Sequence, residues 1–122
     1  KPLVTIKAFA SGGLDPAYMG LGPVPAVRKV LNATGMGLGD IDMIELNEAF
    51  ASQAIGCMRE LGLKNDRPNE LGSGISLGHP IGATGARQMV TTMHHMRRKG
   101  YRTGLITMCI GGGMGMAMIV EG

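Results

Sequence analysis

Thr103-Gly104-Leu105-Ile106-Thr107-Met108-Cys109-Ile110-Gly111-Gly112-Gly113-Met114-Gly115-Met116-Ala117-Met118-Ile119-Val120 decides the fold. The stretch carries no charge and is nearly long enough to span a bilayer. It also contains Gly111-x-x-x-Gly115, the spacing of a membrane-helix dimer motif. Three consecutive glycines in its middle argue against a helix, since each costs about 1 kcal/mol relative to Ala. Those glycines instead permit a tight turn. The stretch reads as two buried strands, 105–110 and 114–120, joined as a hairpin-like pair.

Working outward, residues 83–99 read as a helix, with Ala86, Met89, Val90, Met93 and Met96 on an inward face and Gly100 as its stop. Arg97-Arg98-Lys99 falls in the last turn, where cations complement the helix dipole. Residues 64–78 read as mostly loop. Before them, Phe50, Ala54, Cys57, Met58 and Leu61 share one helical face that ends at Gly62. Residues 41–46 alternate as a strand does, and Asn47 is placed to cap the helix that follows. At the N-terminal side, residues 4–10 form a short apolar strand and 11–23 a Gly/Pro loop. Pro25 then sits in a helix first turn, Val27, Val30 and Leu31 make its apolar face, and Gly35 stops it. Repeated strand–helix–strand units predict an α/β domain over residues 1–122. Its sheet is expected to be mixed and mostly parallel, with about five strands, covering helices and the last strand antiparallel at an edge.

A chain of 122 residues with 44% hydrophobic and 17% charged residues buries a real core and is not disordered in composition. Aromatics make up only 3%, against 11 Met and 21 Gly, so that core is aliphatic and Met-filled. The net charge of +3 is concentrated at one helix end. It lacks the broad basic face and stacking aromatics of a nucleic-acid binder. Cys57 and Cys109 alone make no disulfide framework, and no signal peptide is visible. A reducing compartment follows, the cytoplasm first, or an organellar matrix in a eukaryote.

The residues that could carry chemistry are few. His79 lies between Gly78 and Pro80 just before a helix, with Gly82 close by. It reads either as a loop His satisfied by backbone or as a base or oxyanion donor at a helix start. Cys109 reads either as a small buried hydrophobe or as a thiol beside glycines whose N–H groups bind developing negative charge. Asn47 reads as a helix cap or as a polar group turned into a site. Cys57 faces the core. His79, His94, His95, Cys57 and Cys109 lack zinc-type spacing, so no metal is expected. Neither a phosphate-binding loop nor a dinucleotide glycine motif is present, so no cofactor is expected either.

Met19-Gly20-Leu21-Gly22-Pro23-Val24-Pro25, Asn47-Glu48-Ala49-Phe50, Gly78-His79-Pro80 and Cys109-Ile110-Gly111-Gly112-Gly113 together resemble motifs of the thiolase family, in order and across essentially the whole chain. The resemblance is to the C-terminal domain only. The half that carries the acyl-accepting Cys and most CoA contacts is not in this sequence. What the resemblance implies is a thiolase-type acyltransferase part, of the acetyl-CoA acetyltransferase or 3-ketoacyl-CoA thiolase kind. Its reaction would be Claisen condensation or thiolytic cleavage of a 3-ketoacyl-CoA through an acyl-cysteine on the N-terminal half, with no activity expected without that half. His79 would activate the nucleophile and hold the thioester oxygen. Asn47 would fix a water at that oxygen, and Cys109 would be the acid/base. The Gly111 N–H would donate to the acyl-enzyme oxygen, while Met19 and Phe50 would line the pantetheine channel.

The implied partners are acyl-CoA and CoA as substrates, an N-terminal thiolase domain in cis or trans, and further copies in a homo-oligomer. Nucleic acid and membrane are not expected partners. A non-catalytic binding or scaffold module of the same fold is the alternative. A ketoacyl synthase fits less well, because such relatives usually place His where Cys109 stands. Relatives often carry Asn-Gly-Gly-Ala where this chain has Leu71 to Gly74.

Overall fold

In the computed structural model, which describes residues 1–122, four strands form one sheet. They are β1 (Thr5–Gly13), β2 (Met43–Leu46), β3 (Thr103–Gly111) and β4 (Met114–Glu121). The helices are α1 (Pro23–Thr34), α2 (Ala51–Leu61), the single-turn α3 (Gly74–Leu77) and α4 (Thr84–Lys99), with 3-10 turns at Pro16–Leu21 and Leu38–Asp40. No helix is long and apolar enough to cross a membrane. The uncharged stretch is instead the β3–β4 hairpin. Gly111, Gly112 and Gly113 turn it at φ of 95°, 61° and 78°, backbone that disfavours a side chain.

The sheet corrects the expected one. Its order is β1-β4-β3-β2, with four strands rather than about five. Only β2–β3 is parallel; β1–β4 and β3–β4 are antiparallel. β1, β2 and β3 do share a direction and β4 does oppose them. But β4 is inserted between β1 and β3 instead of standing at an edge, so most ladders are antiparallel. Hydropathy could not locate it there, because Ala117, Ile119 and Val120 would be buried in either place. Beyond β2, no further strand forms. Pro68 makes one isolated bridge to Ile44, and proline cannot donate to a ladder.

One sheet face is closed by α1. Ala26, Val27, Val30 and Leu31 pack there with Ile44, Leu105, Ala117 and Ile119. A smaller cluster of Val24, Leu46, Ala54 and Cys57 seats α2. Left-handed glycines cap α1, α2 and α4 at Gly35, Gly62 and Gly100. The other face receives α4, where Met43, Met96 and Val120 meet.

The predicted inward face of α4 is overturned in part. Met96 is buried, but Ala86 is exposed and Val90 is 50% exposed. The buried face is Thr84, Gln88, Thr92, His95 and Met96. Small and polar side chains fit because the helix runs very close to the sheet. A Cβ on Gly104 would come within 2.7 Å of Thr92 Cγ2 and 2.9 Å of Met96 Sδ. Gln88 Nε2 donates to the carbonyls of Glu45 and Thr107, each at 3.4 Å, and so ties α4 to both parallel strands. Met89 lies off this contact and lines an apolar cleft of about 160 Å³ with Ile106, Met108, Ile110, Met116 and Met118.

Candidate active site

Parallel β2 and β3 end at one edge of the sheet, and α2 and α4 both begin there. In open α/β sheets this carboxyl edge is where ligands sit. Asn47, Cys109, Gly111 and the His79 loop all lie along it.

Asn47 is not the cap of α2, contrary to the sequence expectation. That position belongs to Phe50, which offers no side-chain bond. Asn47 N–H instead donates to Thr107 O at 3.0 Å, carrying the β2–β3 ladder one residue further. Its side chain is fully buried, yet Oδ1 and Nδ2 have no partner in the protein. Buried amides left unpaired cost about 1–3 kcal/mol, so this one is suited to holding a water or substrate oxygen.

His79 is half-buried, and its Nδ1 lies 2.7 Å from Thr84 Oγ1. Thr84 donates its single hydroxyl proton to Pro80 O at 3.0 Å. Toward the imidazole, Thr84 must therefore accept, so Nδ1 carries the proton. That leaves Nε2 as the ring atom that can take a proton when neutral, or donate one when cationic. Sequence reasoning missed Thr84. The available signal was a hydroxyl residue four positions after Pro80, where a helix side chain bonds back to the carbonyl.

Cys109 is the third-last residue of β3, and a register shift separates it from Gly111. Burial pushes its thiol up, and a hydrogen bond from its own backbone opposes this. The thiol rather than the thiolate is therefore its resting form. His79 and Cys109 are carried by different elements, the imidazole just before the start of α4 and the thiol near the end of β3. His79 bonds to Thr84 rather than to the thiol.

Cys57 is fully buried, donates to Gly20 O at 3.3 Å, and is pushed up to about 11 by desolvation. It is a core residue, as its helical face implied. Met19 and Phe50 do come together. With Ala17, Leu21, Ser52 and Gln53 they line an open cleft of about 310 Å³. The Gly111–Gly113 turn is packed beneath Leu14, whose N–H donates to Gly113 O at 2.8 Å. This fixes the hairpin tip against the segment carrying Met19.

Glu48 and Asn69 also escaped sequence reasoning. Asn69 takes φ of 60° and pairs its side chain with both backbone groups of Leu46, at 2.9 Å each. Its Nδ2 also donates to Glu48 Oε1 at 3.3 Å. Glu48 Oε2 accepts from Ile75 N–H at 3.1 Å. The loop before His79 is thereby fastened over Asn47. A positive φ on Asn was not readable from composition.

The family description "Thiolase, C-terminal domain" matches residues 1–122. Acetyl-CoA acetyltransferase of Chromobacterium violaceum is 53% identical over 121 residues, covering 99% of this chain and 31% of that protein. The 3-oxoadipyl-CoA/3-oxo-5,6-dehydrosuberyl-CoA thiolase of Escherichia coli is 52% identical, covering 98% of this chain and 30% of its own length. The crystal structure of the Bacillus anthracis acetyl-CoA acetyltransferase superposes with a TM-score of 0.96 at 45% identity, over 99% of this chain and 31% of that one. The chain thus spans about a third of the length of the curated relatives it matches.

Proposed function

The chain belongs to the thiolase family, as its C-terminal domain, and from that premise we propose that it supplies half of an acyltransferase site completed by an N-terminal thiolase domain, in cis or in trans. The reaction is condensation or thiolysis of 3-ketoacyl-CoA, with CoA thioesters as substrates. The observation that carries this reading is Asn47, an amide wholly buried at the carboxyl edge with both polar atoms unpaired.

In the condensing direction, Cys109 first gives its thiol proton to the CoA thiolate expelled as the partner domain's cysteine is acylated, and as a thiolate it then takes a proton from the carbon next to the acetyl-CoA carbonyl. The electron pair left on that carbon delocalises onto the thioester oxygen. His79 Nε2 and an Asn47-held water stabilise that oxygen as charge develops, which is the differential binding that lowers the barrier. The carbon then attacks the acyl-cysteine of the partner domain. A C–C bond forms, the C–S bond breaks, and the thiolate leaves. Thiolysis is the reverse, and there Cys109 donates its proton to the carbon. A thiol that rests protonated suits the cleaving direction as written. Met19 and Phe50 supply apolar contact to the pantetheine arm, and Gly111 N–H donates to the acyl-enzyme oxygen.

The test is reconstitution. The chain alone should not cleave acetoacetyl-CoA, and joining it to the N-terminal domain should restore cleavage. Cys109→Ala should then abolish carbon–carbon chemistry, by about 10²–10⁴-fold, while acyl transfer to the nucleophilic Cys persists. Carbon–carbon chemistry that survives in this variant ends the acid/base assignment. A non-catalytic module would stay inactive when joined to that domain.

A further inference from the structure

The loop over Asn47 is held by more than Glu48. Gly74 begins α3 against the site: a Cβ there would lie 2.6 Å from Glu48 O and 3.0 Å from Asn47 Oδ1. The residue before it, Ser73, is fully buried. Its Oγ accepts from Arg87 Nη2 at 3.4 Å, the one hydrogen bond of that guanidinium. Arg87 lies on the first turn of α4, with only 19% of its side chain exposed. Its Nη1 stands 3.7 Å from Glu45 Oε2 on β2. Glu45 is fully buried two residues before Asn47, and neither carboxylate oxygen has a hydrogen-bond partner.

One planar fork therefore bridges three elements: the strand that leads into Asn47, the helix that follows His79, and the loop that closes over Asn47. From these contacts we infer that Arg87 and Ser73 are positioning residues, a clamp that sets the height of Gly74 above Asn47 and with it the place of the Asn47 side chain. The geometry explains why a fork is needed. Arg presents separate N–H groups in a rigid plane, one toward a carboxylate and one toward a hydroxyl, whereas Lys offers a single point charge. It also explains why residue 74 has no side chain: a methyl group would press on a backbone carbonyl that has nowhere to go.

The inference rests on the reading of Asn47 as a site residue, so the experiment includes a variant for that reading. In the protein joined to its N-terminal domain, kcat and KM for acetoacetyl-CoA thiolysis are measured for Ser73→Ala, Arg87→Lys and Asn47→Ala, together with thermal midpoints. Asn47→Ala should lower kcat by about 10-fold or more. Ser73→Ala should lower kcat about 3–10-fold, with KM within about twofold and a modest drop in the midpoint, since Arg87 Nη2 is left without its hydrogen-bond partner. Arg87→Lys should lower kcat by at least as much. Because Lys replaces the planar fork with a single buried point charge and so perturbs stability as well, the Ser73→Ala result decides. A wild-type kcat in Ser73→Ala, alongside an impaired Asn47→Ala, overturns the clamp and leaves the site standing. A wild-type kcat in Asn47→Ala overturns the site reading itself.

Discussion

Glu45→Gln isolates the cost of a carboxylate sealed beneath a sheet. Desolvation raises the Glu45 carboxyl from its ordinary 4.5 to about 7; Arg87 and the Gln88 side chain oppose that, and Glu48 adds to it. The sign of the effect is opposite to that of an exposed ion pair. Between those two pH values the folded chain keeps a proton that the unfolded chain has released. Stability is therefore highest on the acid side of this window and falls as pH rises through it. Moving a carboxyl from 4.5 to about 7 corresponds to about 3 kcal/mol. Asp42 and Glu70 are held below their ordinary values, so their losses come at lower pH and lie outside the window. The Gln variant has the same shape and no proton to release, although it leaves Arg87 without a counter-charge at every pH. Urea unfolding of both proteins from about pH 5 to pH 8 should show the wild type losing about 2–3 kcal/mol more than the variant. The quantity read is this difference in slope, not the level, so contributions common to both proteins cancel. Parallel curves, offset by a constant, would refute the argument that Glu45 is desolvated.

Two other substitutions test the site and the packing that carries it. Thr84→Val keeps the side-chain volume but removes the acceptor that fixes His79 Nδ1–H, and it should lower thiolysis kcat by about 10–100-fold with KM little changed, a part of the 10²–10⁴ that a positioned acid/base contributes; Thr84→Ser should restore the rate, and a wild-type rate in the Val variant would remove Thr84 from the mechanism. Gly115→Ala drives a Cβ into the backbone of Gly22 and to 2.6 Å from Pro23 N, where no flexible side chain can yield; it should lower stability by about 1–3 kcal/mol in urea titration, and an unchanged midpoint would show that the start of α1 does not sit against β4.

The parts legible in the sequence are those governed by local chemistry. Three glycines between apolar runs announced the hairpin. Gly35, Gly62 and Gly100 announced three helix ends. Pairing was not legible, because β4 buries the same residues whether it stands inside the sheet or at its edge. Asn47 shows the same limit at the scale of one residue. Its neighbourhood looked like a helix start, yet the ladder with β3 continued through it and displaced the start of α2 by several residues.

The buried face of α4 shows why hydropathy fails where a site is supported. A periodic apolar face assumes that the helix is held by oil. Here Thr84, Gln88 and Thr92 face the sheet, because the helix must lie close enough to hold a His and an Arg over one strand end. Close approach requires small or hydrogen-bonding side chains, and these leave Glu45, Gln88 and Thr92 with unpaired atoms. Helices selected only for stability would not keep such a face, since burying unpaired polar atoms is costly. The polar face, invisible to a pattern of apolar residues, is thus the physical counterpart of the motifs at the start of α4, and Glu45→Gln measures what that packing costs.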